Sequence, residues 1–304
     1  MRVLLIVNAS ASSVTARARV VIQKALSADH EVTLAETSRR GHATRLAQGA
    51  AAGGVDVVVV LGGDGTLNEA ANGLAGSPTA LGVLPGGSTN VFARGIGMTN
   101  DPIEATGELL AALGRKNFQR IPLGSVNGRY FLFHVGAGFD AAVVSQVERR
   151  PGLKRYAGHA LFVYAAFATW ARHYDRSRPR FSVRHGDGEV VDDAYLAICL
   201  KNNPYTYLGA TPLNLAPDAS LHSKLAMLSI RTLAMGRFLY LVGSTLRGGR
   251  AMRNSRRVVY RSDQDEIVIE GYGPFPYQVD GDYLGETERL VLRHEPDALT
   301  LVVP

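Results

Sequence analysis

The chain has 304 residues, enough for two domains with a sizeable core, and 46% hydrophobic with 20% charged content excludes a disordered chain. A net charge of +6 and a pI near 9.5 favour an acidic partner: nucleotide phosphates, an anionic membrane surface or nucleic acid. The single cysteine, Cys199, excludes an internal disulfide and a cysteine-based metal cluster, which fits a reducing cytoplasmic setting.

The first apolar run, Val3–Val7, is shorter than the roughly 7–15 residues of a secretion-signal core. It reads as the opening strand of an α/β domain. A polar loop Asn8–Ser13, a helix near Thr15–Ser27, a strand near Glu31–Ala35 and an alanine-rich helix near Ala43–Ala52 follow. The strand Asp56–Leu61 then runs into Gly62-Gly63-Asp64-Gly65-Thr66-Leu67-Asn68-Glu69. Glycines there let the backbone approach a ligand, and Thr66 is placed to cap a helix from Leu67 to Leu74 that Gly76 and Pro78 stop. Exposed N–H groups at the positive end of a helix favour phosphate. Asp64 would repel bare phosphate, so a divalent cation or ordered water belongs between them; an ordinary turn with a solvated Asp is the plainer alternative. A further strand, Ala80–Leu84, ends in Pro85-Gly86-Gly87-Ser88-Thr89-Asn90. Strands alternating with helices imply parallel pairing, which gathers the loops after the strands on one edge.

Beyond about Arg120 the pattern becomes β-rich. Short runs at Tyr130–Val135, Arg180–Arg184, Ala194–Leu200, Leu225–Arg231, Val258–Arg261, Glu266–Glu270, Pro276–Val279 and Leu290–Leu292 read as strands, with helices near Lys154–His173 and Gly236–Arg250. The apolar stretch Ala157–Ala171 is too short for a membrane span and is interrupted by His159. Within it, Ala160–Trp170 suits either an acyl-chain groove or a packing helix. Arg247, Arg250, Arg253, Arg256 and Arg257 suit either anionic headgroups or a solvated face. Nucleic acid is not expected as a partner, because no aromatic-interleaved binding motif accompanies the basic residues.

Three segments together, Gly62–Glu69, Leu84-Pro85-Gly86-Gly87-Ser88-Thr89-Asn90-Val91-Phe92-Ala93-Arg94 and Gln278-Val279-Asp280-Gly281-Asp282, resemble the diacylglycerol kinase catalytic family in order and spacing. That family includes soluble bacterial lipid kinases and sphingosine kinases, and NAD kinases share the first segment. Gly136-Ala137-Gly138-Phe139-Asp140-Ala141 and Pro217-Asp218-Ala219 fall where relatives carry similar segments. The resemblance implies an α/β plus β fold: a three-layer α/β nucleotide-binding domain over 1–122, and a β-sandwich-like lipid-substrate domain over 123–287. The active site would lie in the cleft between them, with 288–304 packing back on the first domain.

It also implies ATP and Mg²⁺ as cofactors and a diacylglycerol-like lipid with a free hydroxyl as acceptor. The enzyme would be peripheral at the inner membrane face, with a homodimer left open as its oligomeric state. Asn8, Ala9, Ser10, Ala11, Ser12, Thr37, Gly63, Asp64, Gly65, Thr66, Leu67, Asn68, Glu69 and Ser88 occupy the family's ATP-contacting positions, and Asp282 stands where relatives place a Glu that helps hold nucleotide. Asp64 would meet the metal indirectly, through water or ATP-bound Mg²⁺. Asp280 matches the general base, needed because an alcohol is a poor nucleophile at neutral pH; Asp-Gly is also a favoured hairpin pair.

Two departures stand out. Where relatives hold a structural magnesium, His222, Lys224 and Ala226 replace the expected groups, so that metal site should be absent or altered. Val91 replaces a common Asp. An NAD kinase-like enzyme, or a lipid- or nucleotide-binding pseudokinase, are the competing readings.

Overall fold

The computed structural model describes residues 1–149, 164–234, 236–237, 240, 243–244 and 255–304. They form two compact units, Met1–Leu123 with Glu295–Pro304, and Gly124–His294.

The first unit is built on parallel strands β1 (Arg2–Val7), β2 (Glu31–Glu36), β3 (Val57–Gly62) and β4 (Ala80–Pro85), in the order β4-β3-β1-β2. β3 and β4 are buried at every position, as expected of parallel strands covered on both faces. Between the strands run α1 (Ala16–Ser27), α2 (His42–Ala52) and α3 (Asp64–Leu74); α4 (Val91–Gly95) and α5 (Pro102–Gly114) follow β4. Right-handed crossovers send α1 to one face and α2 with α3 to the other, because β1→β2 and β2→β3 step in opposite directions across the sheet. The packing agrees: α2 lies on α3, and α1 on α5. Near the end of the chain, Thr300 and Leu301 pair in parallel with Ala80 and Leu81 at the free edge of β4. The order reverses between β1 and β3, the switch point where α/β sheets open a crevice for ligands.

The second unit contains β6 (Arg129–Phe131), β7 (His134–Gly138), α6 (Phe139–Glu148), β8 (Phe181–His185), β9 (Val190–Ala194), β10 (Leu196–Leu200), the small hairpin of β11 (Thr206–Leu208) and β12 (Thr211–Leu213), β13 (Leu225–Ile230), β14 (Val258–Gln264) and β15 (Glu266–Val279). β5 (Phe118–Val126) leads into it and β16 (Asp282–Val302) leads out. Strand order is β14-β13-β10-β7-β15-β16, with β8 also pairing β15 and β9 pairing β8.

Alternation along β10 separates two cores. Ala197 and Cys199 join Phe181, Val183, Ile267, Ile269, Leu290 and Leu292 in a sandwich core. Leu196, Ile198 and Leu200 pack with Phe139, Val143 and Val147 of α6 on the opposite face. Cys199 is buried there, its thiol pKa pushed far up by desolvation, which makes it a core residue. The α/β plus β-sandwich class is therefore the observed one.

Several expected elements change on folding. The run Tyr130–Val135 is two strands, broken at Leu132 and Phe133, whose N–H groups bond elsewhere. Glu266–Glu270 and Pro276–Val279 are parts of one strand with bulges between them. α3 begins at Asp64, so Thr66 lies inside the helix instead of capping it. Of the helix expected at Lys154–His173, the described part is helical through Ala168 and continues as a π-type turn, Thr169–His173. Arg247, Arg250, Arg253 and most of 236–250 lie outside the described residues. Among the described residues, no helix is long and apolar enough to cross a membrane.

Candidate active site

Register brings three loops of the first unit together. Val7 lies beside Leu61 and Gly62 beside Pro85, so the chain leaves β1, β3 and β4 at one level. The loops are then tied by backbone hydrogen bonds: Asn8 N–H donates to Leu61 O (3.0 Å), Gly86 N–H to Gly62 O (2.8 Å) and Ser13 N–H to Gly86 O (2.9 Å). Ser13 Oγ donates to Gly87 O (3.1 Å), and Asn8 Nδ2 to Thr66 Oγ1 (2.9 Å). Thr66 is thereby a link between loops. The approach depends on glycine, since a Cβ on Gly86 would stand 2.8 Å from Gly62 N and one on Gly87 2.9 Å from Gly63 Cα. Ala9, Ser10, Ser12 and Ser88 are exposed along this edge, while Asn8, Ala11, Gly63 and Gly65 are partly so. Thr37, at the end of β2, donates its N–H to Val7 O (2.9 Å). Leu67 and Asn68 are buried, the former in the core.

Two carboxylates of α3, Asp64 and Glu69, are taken up by backbone N–H groups of other elements. Asp64 accepts from Val91 N–H (3.0 Å) and Phe92 N–H (3.1 Å), so both oxygens serve the start of α4. Burial pushes its pKa up, and the two N–H donors pull it back down. A space of about 10 Å³, lined by Gly62, Gly63, Asp64 and Asn90 among others, adjoins it; that is the scale of a single water.

Glu69 accepts from Gly41 N–H (2.7 Å) and Ala43 N–H (3.1 Å) at the start of α2, where no local side chain caps the helix. That geometry gives Glu69 a capping duty. Glu69→Ala should cost on the order of 1 kcal/mol of stability while leaving nucleotide affinity nearly unchanged. Thermal unfolding and an ATP titration check it: weaker ATP binding at an unchanged melting point would return Glu69 to the nucleotide.

The second unit holds the other two predicted residues. Asp280 (φ 49°) and Gly281 (φ 83°) are the two central residues of the hairpin joining β15 to β16, between paired Val279 and Asp282. The Asp280 side chain is 4% exposed and accepts three backbone N–H bonds, from Leu132 (2.7 Å), Phe133 (3.1 Å) and His134 (2.9 Å). These bonds break the expected Tyr130–Val135 strand. Asp282 pairs with Arg129 at 3.8 Å.

Beside this turn lies a buried polar set that had been given no role from sequence. Gln278 accepts from Gly281 N–H (2.8 Å) and donates Nε2–H to Asp140 (2.8 Å), which also accepts from Tyr205 Oη (2.5 Å). Burial raises the pKa of Asp140 against these two donors, and raises that of Tyr205. The His134 ring packs against Tyr205 at a 48° tilt with centroids 4.5 Å apart, and burial drives its pKa down to about 3, so it stays neutral near pH 7. The signal in the sequence was Gly136. A Cβ there would fall 1.7 Å from Asp140 Oδ2, which ties the glycine and the Asp of Gly136–Ala141 to each other.

Comparison with known proteins bears on this arrangement. The diacylglycerol kinase catalytic domain model matches residues 2–117. The chain is 29% identical over 272 residues to the diacylglycerol kinase of Bacillus subtilis (strain 168), covering 87% of this chain and 84% of that one. A diacylglycerol kinase structure from Bacillus anthracis str. Sterne superposes with a TM-score of 0.72 at 21% identity, over 100% of this chain and 97% of the other. An NAD kinase from Archaeoglobus fulgidus in complex with ATP gives 0.54 at 13% identity, over 99% and 93%. At those identities the two structures speak for the fold alone.

Proposed function

We propose, on the premise that the diacylglycerol kinase catalytic domain model matching residues 2–117 reports true kinship, that the chain is an ATP-dependent lipid kinase acting on a diacylglycerol-like lipid. The observation that carries this reading is the junction of the loops after β1, β3 and β4, held by backbone contact between Gly62–Gly63 and Gly86–Gly87. Three strand-end loops at the switch point offer N–H groups to phosphates, which is what nucleotide binding requires. Asn8 to Ser12, Thr37, Gly63 to Thr66, Ser88 and Asp282 are the nucleotide set of this proposal, while Leu67 and Asn68 are buried and Glu69 serves the start of α2.

In the reaction, the lipid hydroxyl oxygen forms a bond to the γ-phosphorus, the bond from that phosphorus to the β–γ bridging oxygen breaks, and ADP leaves. Asp280 takes the hydroxyl proton. Mg²⁺ supplies neutralisation of phosphate charge. Both Asp64 oxygens already accept N–H bonds, so Asp64 suits a water-mediated place near the ion better than direct ligation. A lipid acceptor sets this work at a membrane surface, taken here as the inner face. Exposed Arg256 and Arg257 suit anionic headgroups there.

Transfer of label from γ-³²P-ATP to a panel of lipids, with NAD included as acceptor, tests the reading. Label is expected in a glycerolipid with a free hydroxyl and not in NAD. Label in NAD would assign the protein to the other kinase class. Nucleotide binding without transfer to any acceptor would make it a pseudokinase.

A further inference from the structure

Lys201 lies one residue beyond β10, and the loop Ser220–Ser223 lies just before β13. These two strands are antiparallel neighbours, with Leu200 opposite Ala226, so their register brings the lysine alongside that loop. Its ammonium donates to Leu221 O (3.0 Å) and Ser223 O (2.8 Å) and stands 3.5 Å from Ser220 O. Lys201 is 1% exposed, among the largest fully buried side chains of the protein. A buried charge is costly unless it is met by hydrogen bonds or an opposite charge. Here, among the described residues, carbonyl dipoles meet it; no carboxylate does.

The loop has folded around this point. Ser223 N–H donates to Ser220 O (3.2 Å), and Ser220 N–H donates to Ser223 Oγ (2.8 Å), which closes a tight turn with its carbonyls turned toward Nζ. Carbonyl oxygens converging on one positive charge make the same kind of cradle that a hard metal cation would take.

The donors for a metal are not arranged there. Asp218 and His222 are exposed, and Lys224 is turned to Asp265 at 2.8 Å. Among the described residues, no group of three or more His, Cys, Asp or Glu side chains is placed to hold an ion. The family resemblance implies a magnesium in this region, and the residues present do not fit one.

We propose that Lys201 is a built-in cation that holds the Ser220–Ser223 loop by its carbonyls, so that this part of the fold works without a metal. The ammonium occupies the centre of the cradle, and its tether to β10 fixes the loop to the sheet. Burial lowers its pKa to about 8, which still leaves it protonated at neutral pH. The inference does not depend on the lipid-kinase reading, since it concerns how the second unit is held together.

The test uses the full chain without nucleotide. The wild-type melting temperature should be the same in EDTA as in millimolar Mg²⁺ or Ca²⁺, and Mn²⁺ should leave the amide NMR signals of Ser220 to Lys224 sharp. Lys201→Ala should melt roughly 5–10 °C lower, because part-buried carbonyls lose a charged donor and the lysine's buried stem leaves a void. Millimolar K⁺ or ethylammonium should restore part of that loss by entering the vacated cradle, with no such effect on the wild type. Mn²⁺ broadening of those amides in the wild type would overturn the proposal. A variant as stable as the wild type would do the same. Should Lys201→Ala fail to fold, the wild-type metal measurements still decide, and Lys201→Met, which keeps the apolar stem, supplies the melting comparison.

Discussion

Asp280→Asn should lower lipid phosphorylation by about 10²–10⁴-fold, the contribution typical of a positioned general base, while ATP still binds. Its geometry adds a second expected effect. Oδ1 of Asp280 accepts from Phe133 and His134, and Oδ2 accepts from Leu132 at 2.7 Å. An amide has one oxygen. If that oxygen keeps the first two donors, the new NH₂ group faces the Leu132 N–H, donor against donor. Leaving a buried donor unmet costs about 1–3 kcal/mol, so the variant should also melt lower. Turnover must therefore be read well below its melting temperature and beside a core variant of comparable stability. Ile198→Val serves, because Ile198 packs in the core beside α6 and the change costs about 0.5–1.5 kcal/mol. The control should keep most of its activity. If Asp280→Asn is no slower than the control, Asp280 is a loop anchor and the proton goes elsewhere.

Gly86→Ala should weaken nucleotide binding. The added methyl would stand 2.8 Å from Gly62 N, 2.9 Å from Gly62 Cα and 2.8 Å from the Val14 side chain. Two of these atoms are backbone of a fully buried strand, so the loop after β4 must move instead. Moving it breaks the Gly86 N–H to Gly62 O bond and the Ser13 N–H to Gly86 O bond, which join all three loops. ATP affinity should fall at least tenfold, equivalent to about 1.4 kcal/mol of binding energy. Far-ultraviolet circular dichroism should stay near wild type, because the strands pair upstream of the change. Calorimetric titration with a non-hydrolysable ATP analogue measures this. Unchanged affinity would show that the nucleotide does not use this junction.

Much of the first unit was legible because its signals are local. β3 was expected at Asp56–Leu61 and runs Val57–Gly62; α1 was expected near Thr15–Ser27 and runs Ala16–Ser27, with Thr15 Oγ1 accepting from Ala18 N–H. Apolar runs, helical spacing and capping residues act within a few positions, so neighbours in sequence suffice to read them. Loop convergence after β1, β3 and β4 was also legible, since parallel strands separated by helices put those loops on one edge. The second unit was less so. Tyr130–Val135 has the composition of one strand, and the carboxylate that splits it stands 146 to 148 positions later in the chain.

From β1 to β4 the order of strands and helices, the glycine turns and the residue types gathered at the loops follow from the chain read locally, because backbone propensity and hydrophobic periodicity are properties of short segments; α4, α5, α6 and β5 were not expected. Tertiary structure alone decided what the charged groups touch. Asp64 reaches N–H groups 27 and 28 residues away, Glu69 reaches 26 and 28 residues back, and Lys201 meets carbonyls 19 to 22 residues on. Their partners are backbone N–H and C=O groups, which nearly every residue carries and no residue type announces. Only the approach of particular segments in the folded chain selects among them, and that selection separates a carboxylate aimed at a ligand from one that caps a helix.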